Sequence, residues 1–170
     1  MMARPTDRVV VMGVSAVGKS TIGLLLAQFL QVSFIDADDL HTSASIKKMA
    51  SGAPLDHADR LPWLVACGRA LQQERNGAVI ACSALTRASR DLIRHEAPGA
   101  IFAHLCADTS LILQRAHERT GHFMPSTLLA SQEAALQPLE PEEPGFTFDA
   151  SLPPLQLVHK IQAFLTSQRR

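Results

Sequence analysis

The chain has 170 residues and a mass of 18.4 kDa, and 46% of its residues are hydrophobic against 19% charged. That suits one globular domain with one core and excludes disordered and collagen-like classes. Lys plus Arg total 16 and Asp plus Glu total 16, so binding to nucleic acid or a membrane surface through bulk charge is not expected.

Val9-Val10-Val11-Met12 is a short apolar run ending at Gly13 and predicts a buried strand. After Lys19, apolar residues at Ile22, Leu25, Leu26, Phe29 and Leu30 keep helical spacing. Ser33-Phe34-Ile35 predicts a second strand, running into Asp36-Ala37-Asp38-Asp39. Residues 42–52 predict a helix stopped by Gly52. Leu61, Leu64, Val65, Gly68 and Leu71 outline another, with Pro62 near its first turn. Ala78 to Cys82 and Ala100 to Cys106 are the third and fourth strands, with helices at 86–95 and Thr109 to Glu118. Thr120 to Pro125 is a break before a helix at 126–136. Pro138, Pro141 and Pro144 make 137–144 a rigid acidic connector. Phe146-Thr147-Phe148 is a weak fifth strand, and Leu157 to Leu165 closes the chain as a helix.

Strands alternate with helices throughout, so the expected class is α/β, a five-stranded parallel sheet covered on both faces. Ligands in such sheets bind at the carboxyl ends of the strands, here residues 13–20, 36–41, 82–87 and 119–125. Cys67, Cys82 and Cys106 are odd in number and form no C-x-x-C, which argues against a disulfide framework or a zinc site. A reducing cytoplasm is the expected setting. No apolar run approaches the ~18 residues of a membrane span, and the first eight residues lack the apolar stretch of a secretory signal.

Gly13-Val14-Ser15-Ala16-Val17-Gly18-Lys19-Ser20 matches G-x-x-x-x-G-K-[ST] between a strand and a helix. The glycines let successive N–H groups curl inward at phosphate oxygens, and the helix that begins near Lys19 adds its positive end. Lys19 is placed for the β- and γ-phosphates of ATP, Ser20 for Mg²⁺, and Thr21 completes the nucleotide-binding stretch. A GTPase needs N-K-x-D, but Asn76 is the one asparagine and Gly77 follows it. No Asp is followed three places on by Gly, so a small-molecule kinase is the expected branch. Asp36 and Asp38, two apart on a strand, would share a face. Asp36 is assigned mainly to Mg²⁺ and Asp38 to orienting an acceptor hydroxyl and taking its proton.

Several stretches resemble gluconate kinases. They are Asp36 to His41, Lys47 to Leu55, Asp59 to Leu64, Cys82 to Leu85, Arg90-Asp91, Gly121 to Pro125, Leu128-Leu129 and Ser131-Gln132. The resemblance as a whole covers nearly the whole chain, roughly residues 8–165. The resemblance implies transfer of the ATP γ-phosphate to the 6-hydroxyl of D-gluconate. It also implies the fold of shikimate and nucleoside monophosphate kinases, a short lid at about 119–126 on a single domain 1–170, and a homodimer. The chain departs from the family pattern at Ser45, His57, Thr86, Ser89 and Glu133. Related readings are a kinase of another sugar acid or hydroxy acid, and a nucleotide-binding regulatory protein without turnover. Intact Lys19, Ser20, Asp36, Asp38 and Arg60 speak against the last.

An anionic acceptor needs cationic and neutral hydrogen-bonding groups. Arg60 is the first candidate, followed by His41, Lys48 and Arg87. Trp63 reads as packing more than as a sugar-stacking ring. In the lid, Arg119 is the expected cover for the nucleotide and the transferring group, with His122 beside it. Arg115 is compatible with an ordinary helix-face charge.

Overall fold

The computed structural model describes residues 7–119 and 126–169. Five strands form one wholly parallel sheet: β1 (Arg8–Met12), β2 (Ser33–Asp36), β3 (Ala78–Ala81), β4 (Ala100–Cys106) and β5 (Gly145–Asp149). Their order across the sheet is β2-β3-β1-β4-β5. The helices are α1 (Lys19–Leu30), α2 (Ser43–Ala50), α3 (His57–Gln73), α4 (Arg87–Glu96), α5 (Thr109–Glu118), α6 (Ser126–Ala135) and α7 (Pro154–Ser167).

The strand period of two decides which face each side chain serves. Val9 and Val11 enter a core with Leu26, Ile112, Ile161 and Leu165, so α1, α5 and α7 cover that face. Val10 and Met12 enter the other, with Trp63, Leu64, Leu71 and Ile93 of α3 and α4. All four of these β1 side chains are fully buried, each contributing about 1.5–3 kcal/mol of transfer free energy. The phosphate loop thus hangs from the buried end of the central strand.

Three expectations need correction. The helix around Leu61 begins earlier, at His57, because Asp56 and Asp59 form a reciprocal capping box. Pro62 thus lies inside α3 rather than in its first turn. The strand carrying Asp36 stops there, and Ala37–Leu40 is a 3₁₀ turn, so Asp36 and Asp38 do not share a strand face. Asp36 itself causes the turn, since its Oδ1 accepts the Asp38 N–H at 3.0 Å.

The proline-rich connector after α6 is tied down from one side. The Arg90 guanidinium donates to Glu143 at 2.7 and 2.8 Å and to the carbonyls of Ala84, Leu85, Gln137 and Pro138. The loop between β3 and α4 and the connector are thereby one unit. Among the described residues no helix is long and apolar enough to cross a membrane.

Candidate active site

The phosphate loop leaves β1 at Gly13, whose φ of 146° suits glycine. A Cβ there would come within 2.7 Å of the Leu105 carbonyl oxygen, so bare backbone is required against β4. Gly18 has φ 114° and turns the chain into α1. Between them Ala16 takes φ 63°, a left-handed conformation unusual for a residue with a side chain. The Lys19 ammonium folds back over the loop and donates to the Val14 carbonyl at 2.9 Å. Burial pushes its pKa down to about 8, and the Arg119 charge adds to this, while Cys82, Asp38 and Asp36 pull the other way.

Ser20 donates its hydroxyl to Asp36 Oδ2 at 3.2 Å. This joins the start of α1 to the end of β2 with two oxygen-bearing side chains. Lys19, Ser20, Asp36, Asp38, His41 and Arg60 line one cavity of about 590 Å³. Its walls also include Ser83 to Thr86 from the carboxyl end of β3, and Gln132 from α6. A second cavity of about 290 Å³ lies on the far side of the loop, between Val17, Gly18, Thr21 and the Ala150–Pro154 turn. Ala16 and Arg119 line both. The loop therefore separates the expected acceptor side, the larger cavity, from the expected nucleoside side, the smaller one, and Arg119 lines both.

On the acceptor side, the His41 ring stacks on Trp63 at 4.6 Å between centroids and 10° between planes. Trp63 donates its indole N–H to the Ala37 carbonyl at 2.6 Å, so α3 holds the acidic turn in place. His41 Nδ1 is buried and without a partner among the described residues. Arg60 is exposed on the cavity wall, and no hydrogen-bond or ion-pair partner for its guanidinium is found among the described residues.

Two expected acceptor contacts are not brought into the cavity. Lys48 is bound by Asp59 at 2.5 Å and lies 3.6 Å from Asp56, which raises its pKa and lowers that of Asp59. Arg87 is held by Asp91 at 2.9 Å, Glu140 at 2.5 Å and Glu142 at 2.9 Å. Its charge is spent on fastening the connector to α4. His122 and most of the lid interval lie outside the described residues.

Two residues with contacts to the phosphate loop carried no assignment in the sequence reading. Arg115 donates to the carbonyls of Val17 at 2.9 Å and Ala150 at 2.7 Å, so it ties the phosphate loop to the turn after β5 beside the smaller cavity. Gln132 bonds Ser15 through both ends of its carboxamide. Gln132 lies in a stretch that resembles gluconate kinases, but no local pattern shows either residue's contacts, because the partners lie 98, 35 and 117 residues away.

A phosphate loop at the end of β1 and an acidic turn at the end of β2, with β3 between them and an acceptor pocket beside them, define a P-loop kinase of small molecules. The family model described as shikimate kinase matches residues 15–144. The chain is 42% identical over 138 residues to the gluconokinase of Gluconobacter oxydans (strain 621H), covering 79% of this chain and 78% of that protein. It is 42% identical over 137 residues to the thermosensitive gluconokinase of Escherichia coli (strain K12), covering 79% and 73%. The crystal structure of a gluconokinase from Sinorhizobium meliloti 1021 superposes with a TM-score of 0.87 at 40% identity, covering 97% of this chain and 94% of that one. The chain belongs to the gluconokinase family.

Proposed function

We propose that this kinase transfers the γ-phosphoryl group of ATP to the 6-hydroxyl of D-gluconate, giving 6-phospho-D-gluconate and ADP. The observation that carries the reading is the meeting of Lys19, Ser20, Asp36 and Asp38 with Arg60 and His41 in one cavity. Phosphate-binding, proton-accepting and carboxylate-binding groups thus face a single space.

In this reading ATP lies across the loop, with its base on the Val17 and Ala150 side and its terminal phosphate beside Lys19. Arg60 takes the gluconate carboxylate, and His41 a hydroxyl of its chain. Asp38 orients the 6-hydroxyl and accepts its proton as the new O–P bond forms and the bond to the leaving ADP oxygen breaks. Lys19 and Arg119 stabilise charge on the transferring group. The Ser20 and Asp36 oxygens are a hard donor pair of the kind Mg²⁺ takes alongside phosphate oxygens and water. Bound there, the ion would neutralise phosphate charge.

The same proposal includes a single domain with a lid at about 119–126, a homodimer and a cytoplasmic location. The family resemblance supports these, and sedimentation and cell fractionation test the last two. Activity is tested by ADP release measured over gluconate, shikimate, other sugar acids and no acceptor. Gluconate-dependent release is expected. Release that is absent, or independent of acceptor, overturns the reading.

A further inference from the structure

Gln132, on α6, holds both polar atoms of one phosphate-loop residue. Its Oε1 accepts the Ser15 N–H at 2.7 Å and its Nε2 lies 3.0 Å from Ser15 Oγ. Chemistry fixes which end is which. A backbone N–H can only donate, so the carboxamide oxygen must face it and the NH₂ must face the hydroxyl. An NH₂ group can only donate, so Ser15 Oγ is the acceptor in that bond. The single Ser15 hydroxyl proton is then left for another partner, and no acceptor for it is found among the described residues.

The direction open to that proton follows from the two cavities. Val17, Gly18 and Thr21 line only the nucleoside side, and Ser15, Lys19 and Ser20 only the acceptor side. A nucleotide lying across the loop puts its last phosphate at the Ser15 end. Resting on the kinase reading above, we propose that Ser15 donates its hydroxyl proton in a hydrogen bond to the terminal phosphoryl group, and that Gln132 is the positioning residue that makes Ser15 a donor there.

The logic is one of polarity. Without the Gln132 NH₂ the Ser15 hydroxyl is free to turn and bond within the loop. With it, the O–H is turned away from Gln132 and is left to point into the cavity where charge develops. The contact also joins α6, which contributes to the acceptor wall, to the loop that carries the donor.

Three variants and one double variant test this. Ser15→Ala keeps the backbone bond to Gln132 and removes the donor. Gln132→Glu still accepts the Ser15 N–H but cannot donate, so the hydroxyl turns toward the carboxylate. Gln132→Ala removes both bonds. Each is expected to lower kcat roughly ten- to hundredfold while ADP affinity stays within about twofold of wild type. The Ser15→Ala/Gln132→Ala double variant should be no slower than the slower single, because both act through one contact.

Wild-type kcat in Gln132→Glu or Ser15→Ala overturns the proposal. So do losses that multiply in the double variant, or ADP affinity that falls in step with kcat, which would make Gln132 a strut for the loop. Should Gln132→Ala fail to fold, Ser15→Ala and Gln132→Glu decide. Failure of the kinase reading has a separate signature, the absence of gluconate-dependent turnover in wild type. The Ser15 donor is then judged by binding alone, with Ser15→Ala required to weaken a non-hydrolysable ATP analogue and spare ADP.

Discussion

Arg90 and Glu143 expose none of their side chains and meet through hydrogen bonds of 2.7 and 2.8 Å across 53 residues of chain. Burial pushes the Glu143 carboxyl up, but its bonds to Arg90 and to the Glu140 N–H more than offset this and hold its pKa below the ordinary value. Glu143→Gln leaves the guanidinium buried without a counter-charge and should cost about 3–5 kcal/mol in urea unfolding. Because Arg90 also bonds the Ala84 and Leu85 carbonyls on the acceptor wall, the gluconate KM should rise with it. The carboxyl is depressed in the folded state, so its contribution is present above its ordinary value of 4.5 and is lost as pH falls through the lower folded value.

Lys19 supplies a pH dependence of opposite sense. Its pKa in the free protein is lowered to about 8, and a bound phosphate would restore the charge. Below pH 8 the ammonium is already charged and nucleotide affinity should be flat. Above pH 8 binding must take up a proton, and affinity should fall by up to about tenfold per pH unit. Calorimetry in buffers of different ionisation enthalpy measures that proton directly. An equal affinity at pH 7 and pH 9.5 would contradict it.

Arg60 and Asp38 line the same cavity but should fail differently. Arg60→Ala removes a charged contact to the acceptor and should raise the gluconate KM about ten- to hundredfold, with the ATP KM little changed. Asp38→Asn removes the proton acceptor and should lower kcat by about 10²–10⁴-fold with modest effects on either KM. Steady-state kinetics over both substrates separates the two.

Gly68 carries a packing prediction. A Cβ added there would lie 2.6 Å from Glu96 Cβ and 2.9 Å from the Ile93 carbonyl oxygen, so α3 would have to move off α4. Gly68→Ala should destabilise the protein by about 1–3 kcal/mol, despite the better helix propensity of alanine. Thermal unfolding of the variant measures the difference.

Much of this was legible in the chain because it is local. The phosphate loop and the apolar strands depend on residues within a few positions of one another. The acidic turn was legible in composition but not in shape, since Asp36 uses its own carboxylate to end β2. Lys48 and Arg87 looked available because their competitors could not be ranked without the fold. The Arg87 partners Glu140 and Glu142 come from 53 and 55 residues further on. Among the described residues no ion-pair partner for Arg60 is found, while Lys48 holds Asp59 and Asp56 nearby.

The stacked pair of His41 and Trp63 has an optical consequence. Trp63 is the single tryptophan of a chain with no tyrosine, so ultraviolet-excited emission above 300 nm comes from one indole. That indole is anchored to the acidic turn and lies against the acceptor side. The wild-type protein thus carries a built-in fluorophore at the place where its small molecule would bind. Occupancy of the pocket can be followed by titration without a label, a coupled assay or an engineered probe.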